Sequence, residues 1–426
     1  MKRGGKMKLN EMQKKAVYTK ERFLFLLAGA GSGKTRVLVE RIKYLINQGV
    51  EEDDILALTF TRKAAQEMQQ RIGREAVRVH TFHQFCLQEL KKEKTYSFDI
   101  FNPETDHPFT ELDLLLITRY KNQGLKGRKP RHYDMYQNYL KKNKLKDFDD
   151  LLDDYHSHAC CKRIQLKYIF VDEFQDTNPL QYRVLKSIIQ ENVSVFCVGD
   201  PDQSIYGFRG SDVKIINQYI YDYQASIYQL TVNYRSSPTI IRHANQLIEY
   251  NQERYKKTLT PIKESETKII HLTHQNEKEE AEAIYTRVKT YIKQGVSPSE
   301  IAILYRQNDR HFHLKQHFEI HGFGLLSNVE KGTAVHFLTI HQAKGLEFEI
   351  VFIIGLEASQ FPVSHTLTKR LLEEERRLMF VAMTRAKQDL IMSSLQFNHF
   401  NQKERPSLFL KETGIKYDFK KGRKKR

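Results

Sequence analysis

FLFLLAGAGSGKT, residues 23–35, joins an apolar run to a glycine-rich turn and then to Lys-Thr at the head of a helical pattern. Unbroken apolarity, as opposed to alternation, is what a parallel strand covered on both faces requires. Downstream, Thr35–Gln48 carries Val37, Leu38, Ile42, Leu45 and Ile46 at helical spacing, and Gly49 supplies a stop. Strand, turn and helix in that order are the context in which G-x-x-x-x-G-K-[ST] works as a phosphate cradle. The predicted cradle is Ala28, Gly29, Ala30, Gly31, Ser32, Gly33, Lys34 and Thr35. Its glycines allow a tight turn that brings backbone N–H groups against phosphate oxygens, and the helix N-terminus adds its positive end. Lys34 can reach the β- and γ-phosphates, and the Thr35 hydroxyl can ligate Mg²⁺.

Such a cradle needs a carboxylate at the end of another strand, and VDEFQD at 171–176 provides one. Asp172 follows the apolar YIFV run and is the expected Mg²⁺ partner, while Glu173 suits a base that orients attacking water. Further buried-strand runs are ILALT at 55–59 and VSVFCVGD at 193–200 in the first half. The second half has KIIHLT at 268–273, EIAILYR at 300–306, FLTI at 337–340, EIVFIIGL at 349–356 and DLIMSS at 389–394. Two α/β lobes, each a doubly wound parallel sheet, are more economical than one very large sheet. The expected division is 1–225 for the first lobe, 226–410 for the second and 411–426 for a basic tail, with the boundary near Tyr223–Ser226. Residues 88–167, rich in Lys, Tyr and Asp, read as a mostly helical insertion on the first lobe.

With 69 Lys plus Arg against 52 Asp plus Glu, the chain carries +17, which points to a polyanionic partner. Its 40% hydrophobic and 11% aromatic content excludes a disordered chain. No apolar run approaches the roughly 18 residues of a membrane span, and no apolar stretch follows the basic N-terminus as a secretory signal would require. Four cysteines in 426 residues are no disulfide scaffold. The expectation is a soluble protein of a reducing compartment, the cytoplasm, without membrane partners. HSHACC at 156–161 groups His156, His158, Cys160 and Cys161, but no second pair of metal-ligand type accompanies it, so packing and surface roles are expected there.

The motifs, in their order, resemble those of the UvrD/PcrA/Rep branch of superfamily 1 helicases. LNEMQKKAV at 9–17, TFTRKAAQEM at 59–68, VHTFHQF at 79–85, DFDDLL at 147–152 and VDEFQDTN at 171–178 match in the first half. VGDPDQSIYGFRGSD at 198–212, LTVNYRSS at 230–237, TIHQAKGLEFEIVFIIGL at 339–356 and EEERRLMFVAMTRAK at 373–387 continue the series. The resemblance implies two RecA-like lobes with ATP in the cleft between them. It assigns adenine recognition to Gln13, adenine stacking to Tyr234, a ribose contact to Glu347 and γ-phosphate sensing to Gln203. Arg235 and Arg385 would reach the same phosphate from the second lobe, where an arginine can stabilise charge spreading over a transferred phosphoryl group. For DNA it implies backbone contacts from Thr59, Thr61, Thr81, His83, Thr339 and His341, with bases stacking on Phe60, Tyr206 and Phe208. Aromatic faces set among basic residues suit sequence-tolerant binding of single strands.

Two departures stand out. Relatives have tryptophan where this chain has Phe208, and the chain has no tryptophan at all. The large second-lobe insertion called 2B has no room between the 303–330 segment and FLTIHQAKGLEF, and the first-lobe insertion 1B is shortened. The implied function is an ATP-dependent, Mg²⁺-requiring translocase or helicase on single-stranded DNA and single-to-double-strand junctions, moving 3′→5′, in repair, recombination or replication. A motor subunit that needs a nuclease, repair or defence partner is the second reading, and a DNA-binding module with a vestigial ATPase the third. RNA as the polymer stays open, because backbone contacts and stacking do not by themselves exclude a 2′-hydroxyl.

Overall fold

Every buried-strand run becomes a parallel strand in the computed structural model, which describes all residues except 1–7, 94–96, 158–163, 266, 268, 322–324, 327–333, 364–367 and 417–426. Contacts divide the chain into two units, one of residues 1–28 and 33–230, the other of 29–32 and 231–426.

The first unit begins with α1 (Glu11–Val17), β1 (Phe23–Ala28), α2 (Lys34–Asn47), β2 (Ile55–Thr59), α3 (Arg62–Ile72), β3 (Arg78–Thr81) and α4 (Phe82–Leu90). An excursion follows, made of β4 (Asp99–Ile100), α5 (Glu111–Asn122), α6 (Tyr133–Lys142), β5 (Leu145–Lys146) and α7 (Phe148–Ser157). The sheet resumes with β6 (Tyr168–Val171), α8 (Pro179–Ile188), β7 (Ser194–Gly199), α9 (Lys214–Tyr223) and β8 (Ser226–Leu230). Strand order is β3-β2-β6-β7-β1-β8, all parallel. Leu24, Leu26, Ala57, Phe170 and Val198 point to one side of this sheet and bury against Val37, Leu38 and Ile42 of α2. The amphipathic face read from 35–48 is therefore the one that packs.

β8 corrects the expected boundary. Its residues pair with β1, Leu24 opposite Ser226 through Ala28 opposite Leu230, so the division falls after Leu230 and not at 225/226. The excursion is largely helical and has a core of its own in Phe101, Phe109, Ile117, Tyr136 and Leu140. Charge ties its own helices together as well. Buried Lys121 donates to Asp147 and Asp150 at 2.6 Å each, and Asn122 donates to Asp149 at 3.1 Å. Asn122 also lies against Gly210, where a Cβ would come within 2.8 Å of the Asn122 Cβ.

The second unit contains β9 (Val232–Asn233), α10 (Pro238–Ile248), β10 (Thr260–Pro261), β11 (Ile269–His274), α11 (Glu277–Lys293), β12 (Ile301–Tyr305) and α12 (Phe312–Ile320). It continues through β13 (Leu325–Leu326), β14 (Val335–Thr339), β15 (Phe348–Ile353), α13 (Lys369–Met383), β16 (Ala386–Leu395) and α14 (Leu408–Glu412). Its sheet, β11-β16-β15-β12-β14-β13, is again wholly parallel. Ile303, Phe337 and Phe352 pack there against Ile284 and Val288 of α11 and Phe318 of α12.

The expected tail at 411–426 is in part built into this unit. Glu412 takes a buried bidentate pair from Arg376 at 2.7 and 2.8 Å, whose third contact is the Asn251 side-chain Oδ1 at 2.6 Å. Thr413 and Ile415 are buried. The KKGRKKR segment at 420–426 lies outside the described residues, as do His158, Cys160 and Cys161 of the HSHACC cluster. Among the described residues no group of three or more His, Cys, Asp or Glu could hold a metal ion, and no helix is long and apolar enough to cross a membrane.

Removing one partner of a buried ion pair leaves the other charge desolvated. Glu412→Ala is therefore expected to destabilise the second unit by about 3–5 kcal/mol, read as a lowered urea midpoint. His271 is held down to about 4, mainly by burial and further by nearby His274. Its neutral form is thus favoured in the fold, so stability is full above about pH 6.5 and falls as pH drops from there toward 4. Melting temperatures across that window should decline less steeply for His271→Gln than for the natural chain.

Candidate active site

All five loops that carry the first unit's predicted chemistry leave the carboxyl ends of its parallel strands, the edge at which open α/β sheets bind ligands. Ala28 ends β1, Thr59 ends β2, Thr81 ends β3, Asp172 follows β6 and Asp200 follows β7. Gly33 caps α2 in the left-handed region at φ +83°, with no side-chain hydrogen bond closing that helix end. The first-turn N–H groups of Lys34 and Thr35 are consequently available to an anion.

Lys34 Nζ lies 3.4 Å from Glu173 Oε2, and the Thr35 hydroxyl donates to Asp172 Oδ2 at 3.2 Å. The two carboxylates are adjacent, and the Glu173 N–H donates to Asp172 Oδ1 at 2.9 Å. Burial, followed by repulsion from Glu173, raises Asp172 to about 6 against the opposing pull of Lys34. A buried carboxylate beside a hydroxyl, both hard oxygen donors, fits a Mg²⁺ ion, whose charge would relieve that penalty. Glu173 itself sits at φ +51°, ψ +42°. A non-glycine residue in the left-handed region costs about 1–3 kcal/mol and persists only where its surroundings impose it.

The Glu173 side chain is held by Gln175, to which the sequence motifs assign no role. Fully buried, its amide donates to Glu173 Oε2 at 2.6 Å and its carbonyl oxygen accepts the Asp200 N–H at 2.8 Å. The Ser204 hydroxyl donates to the Gln175 main-chain oxygen at 3.1 Å. Gly199 makes room, because a Cβ there would stand 2.7 Å from Gln175 Oε1. Asp200 in turn accepts the Gln203 amide at 2.6 Å. Glu173 and Gln203 thus belong to one continuous hydrogen-bond chain. The only signal in the sequence was a polar residue two positions after Glu173, at the mouth of an apolar strand.

Gln13 is buried on α1, where its Oε1 closes a capping box with the Asn10 N–H at 3.0 Å. Its Nε2 lies 3.1 Å from where a Cβ on Gly33 would stand. Phe60 and Tyr206 stack at 4.9 Å and 21°, Phe208 is 6.1 Å from Tyr206 and 43% exposed, and Arg209 lies over both Tyr206 and Phe208. Thr59 is buried and donates to Thr61 O, while the Thr61 and Thr81 hydroxyls accept from Ala64 N–H and Gln84 N–H as helix caps. Both capping hydroxyls keep their own proton to donate. His83, desolvated down to about 4, is neutral at physiological pH.

In the second unit Asn233 organises the segment read as NYRSS. Its side-chain oxygen accepts from Arg235 N–H and Ser236 N–H, and its amide donates to Ala30 O at 2.7 Å. Tyr234 N–H donates to Gly31 O at 2.9 Å. Gly31 is tightly confined here, since a Cβ would meet the Asn233 amide at 2.6 Å and Arg235 Cβ at 2.8 Å. Arg235 is paired with Glu347 at 2.7 Å and donates to Thr384 O at 3.1 Å, so the residue expected at a ribose holds an arginine. Arg385 is 2% exposed and donates to the Val381 and Leu346 carbonyls. Thr339 and Gln342 bond reciprocally at the end of β14, two residues before His341.

An AAA domain model matches residues 13–209, and a UvrD-like helicase C-terminal domain model matches 228–330 and 324–396. The chain is 32% identical to a "Probable DNA helicase" of Mycoplasma pneumoniae over 95% of its own length and 86% of that protein's. It is 35% identical to the "ATP-dependent DNA helicase PcrA" of Staphylococcus epidermidis and 34% identical to that of Staphylococcus aureus, over 70% of this chain in each case. It spans about half the length of these two PcrA proteins, 48% of each. The solved structure of PRRSV helicase aligns with 90% of this chain and 54% of its own at 16% identity and a TM-score of 0.40.

Gln175→Glu keeps the volume of the side chain but sets a carboxylate against Glu173. Its expected effect is a fall of roughly tenfold or more in nucleoside-triphosphate turnover, measured at saturating nucleotide, with the melting temperature shifted far less. Gln175→Leu should lose turnover too, since it removes the donor without adding charge.

Proposed function

Because this chain belongs to the UvrD/PcrA-type superfamily 1 helicases, we propose that it is an ATP-driven motor on single-stranded DNA. The observation that carries this reading is the continuous link from Lys34 and Glu173 through Gln175 to the turn bearing Gln203, Tyr206 and Phe208. A water-orienting carboxylate, a γ-phosphate-sensing amide and a base-stacking aromatic cluster then lie in one unit, the first two joined by hydrogen bonds.

In this reading the open N–H groups at the head of α2 and the Lys34 ammonium bind the β- and γ-phosphates. Mg²⁺, when bound, neutralises phosphate charge, and Thr35 and Asp172 are the residues that would hold it. Glu173, fixed by Gln175, orients a water for in-line attack on the γ-phosphorus and takes up its proton. Arg235 and Arg385 stabilise the charge that spreads over the transferred phosphoryl group, which requires Arg235 to exchange its Glu347 partner for phosphate. Departure of the γ-phosphate alters what Gln203 touches, and the buried chain of amides passes that change to Tyr206 and Phe208.

Travel in the 3′→5′ direction follows the family resemblance. Opening of duplex without help is a separate matter. The two matched stretches of the UvrD-like C-terminal domain meet around residues 324–330, with no separate domain inserted between them. This favours a motor whose strand separation depends on a nuclease or repair partner.

Lys34→Ala is expected to abolish turnover, and Glu173→Gln to bind ATP while hydrolysing it at least about a hundredfold more slowly. ATPase rates with single-stranded DNA, 3′-tailed duplex, 5′-tailed duplex and RNA, with strand displacement scored in parallel, test the rest. Turnover indifferent to every polymer would defeat the motor reading. Strong displacement by the chain alone would remove the need for a partner.

A further inference from the structure

In the motor reading Arg235 must exchange Glu347 for phosphate, and the second unit holds a group suited to receive the carboxylate it leaves. Lys387, on β16, has no role in the assignments above. Its ammonium stands 3.1 Å from Glu300, 3.4 Å from Glu349 and 3.9 Å from Glu347. The sheet brings the four together. Phe348 pairs with Ala386 across β15 and β16, and Ile301 pairs with Ile350 across β12 and β15. Glu300, Glu347, Glu349 and Lys387 therefore gather at the amino edge of three adjacent strands. The Lys387 main chain is fixed there, its carbonyl oxygen accepting from the Ser237 N–H and from Lys263 Nζ at 3.1 Å each.

Three carboxylates surround one ammonium, and the farthest of them, Glu347, is the one that Arg235 holds at 2.7 Å. Burial pushes the Glu347 carboxyl up, but Arg235 first and Lys387 next draw it below its ordinary range, with Arg385 adding to the pull. Once Arg235 turns away, a carboxylate drawn partly out of water loses its nearest cation. Arg385 is committed to the Val381 and Leu346 carbonyls and, in the motor reading, to phosphate. Lys387 is committed to neither. Its flexible four-carbon stem can carry the ammonium the distance of about 1 Å that separates it from a charge-assisted hydrogen bond to Glu347.

We infer that Lys387 is a positioning residue for Arg235: it draws Glu347 off the arginine as the arginine passes to phosphate. The inference rests on the ATP-driven motor reading and deepens it, because it names what governs the availability of Arg235. Glu347 then works as a keeper that releases Arg235 to the phosphate and is itself caught by Lys387.

The test measures ATP turnover of the full chain at saturating nucleotide with oligothymidylate present. It compares the natural chain with Lys387→Met, Lys387→Arg, Glu347→Gln and the double variant Lys387→Met/Glu347→Gln. Lys387→Met keeps a long side chain without its charge, and turnover should fall roughly two- to fivefold, the worth of one partly exposed ion pair. KM for ATP should change little, since the exchange completes on the way to the transition state. Lys387→Arg should retain natural turnover. Glu347→Gln leaves Arg235 free from the start and should turn over at least as fast as the natural chain. Adding Lys387→Met to it should change nothing further, whereas a merely structural lysine would slow both backgrounds alike. Equal slowing in the two backgrounds, a Lys387→Arg as slow as Lys387→Met, or a Glu347→Gln slower than the natural chain overturns the inference and leaves the motor reading intact. A natural chain that hydrolyses no ATP would defeat the motor reading, and the inference with it.

Discussion

One buried carboxamide fixes the geometry on which the rest of the first unit's chemistry depends. Gln175 satisfies both of its ends, donating a hydrogen bond to Glu173 Oε2 and accepting one from the Asp200 N–H. Rotating that amide would strand two buried polar groups, each costing about 1–3 kcal/mol, so it behaves as a fixed strut. The strut can be short because β6 and β7 are neighbours, with Val171 beside Cys197 in register. It fits because position 199 is glycine.

Parallel sheets separate functions by edge, and the two units do so differently. In the first unit Ala28, the carboxylates and the threonines predicted to meet DNA all stand at the same carboxyl edge, on different strands. In the second, Thr339 ends β14 and His341 follows it, whereas Glu347 and Arg385 immediately precede the amino ends of β15 and β16. Polymer-facing and nucleotide-facing candidates there stand at opposite edges of one sheet. A rigid sheet can carry a displacement from one edge to the other, which a loop between the same residues could not.

The strands were legible because full burial imposes unbroken apolar runs, and the P-loop because strand, glycines and helix agree with one another. β3 escaped notice. Lying at the sheet edge with only Val79 and Thr81 buried, it is too short to announce itself by composition. β8 joins the first unit's sheet, although SIYQL alternates like a half-exposed edge strand and gives no hint of which sheet it joins. Lys34, Thr35, Asp172 and Glu173 stand out from their strand-and-turn context, and the structure brings the four together. Gln175 and Asn233 do not stand out, since a buried amide is chosen by its partners, and those lie 25 and 203 residues away. The pairing of Glu347 with Arg235 was invisible for the same reason.

The seat of Asn122 on Gly210 makes the helical excursion more than an ornament. Gly210 closes the short turn that begins at Gly207 and carries Phe208, and Asn122 leaves no space even for a methyl group beside it. Evolution could therefore pare the excursion from its outer end, but its innermost helix serves as the footing for an aromatic hook two residues away. A lineage that discarded α5 would have to rebuild that hook from other material.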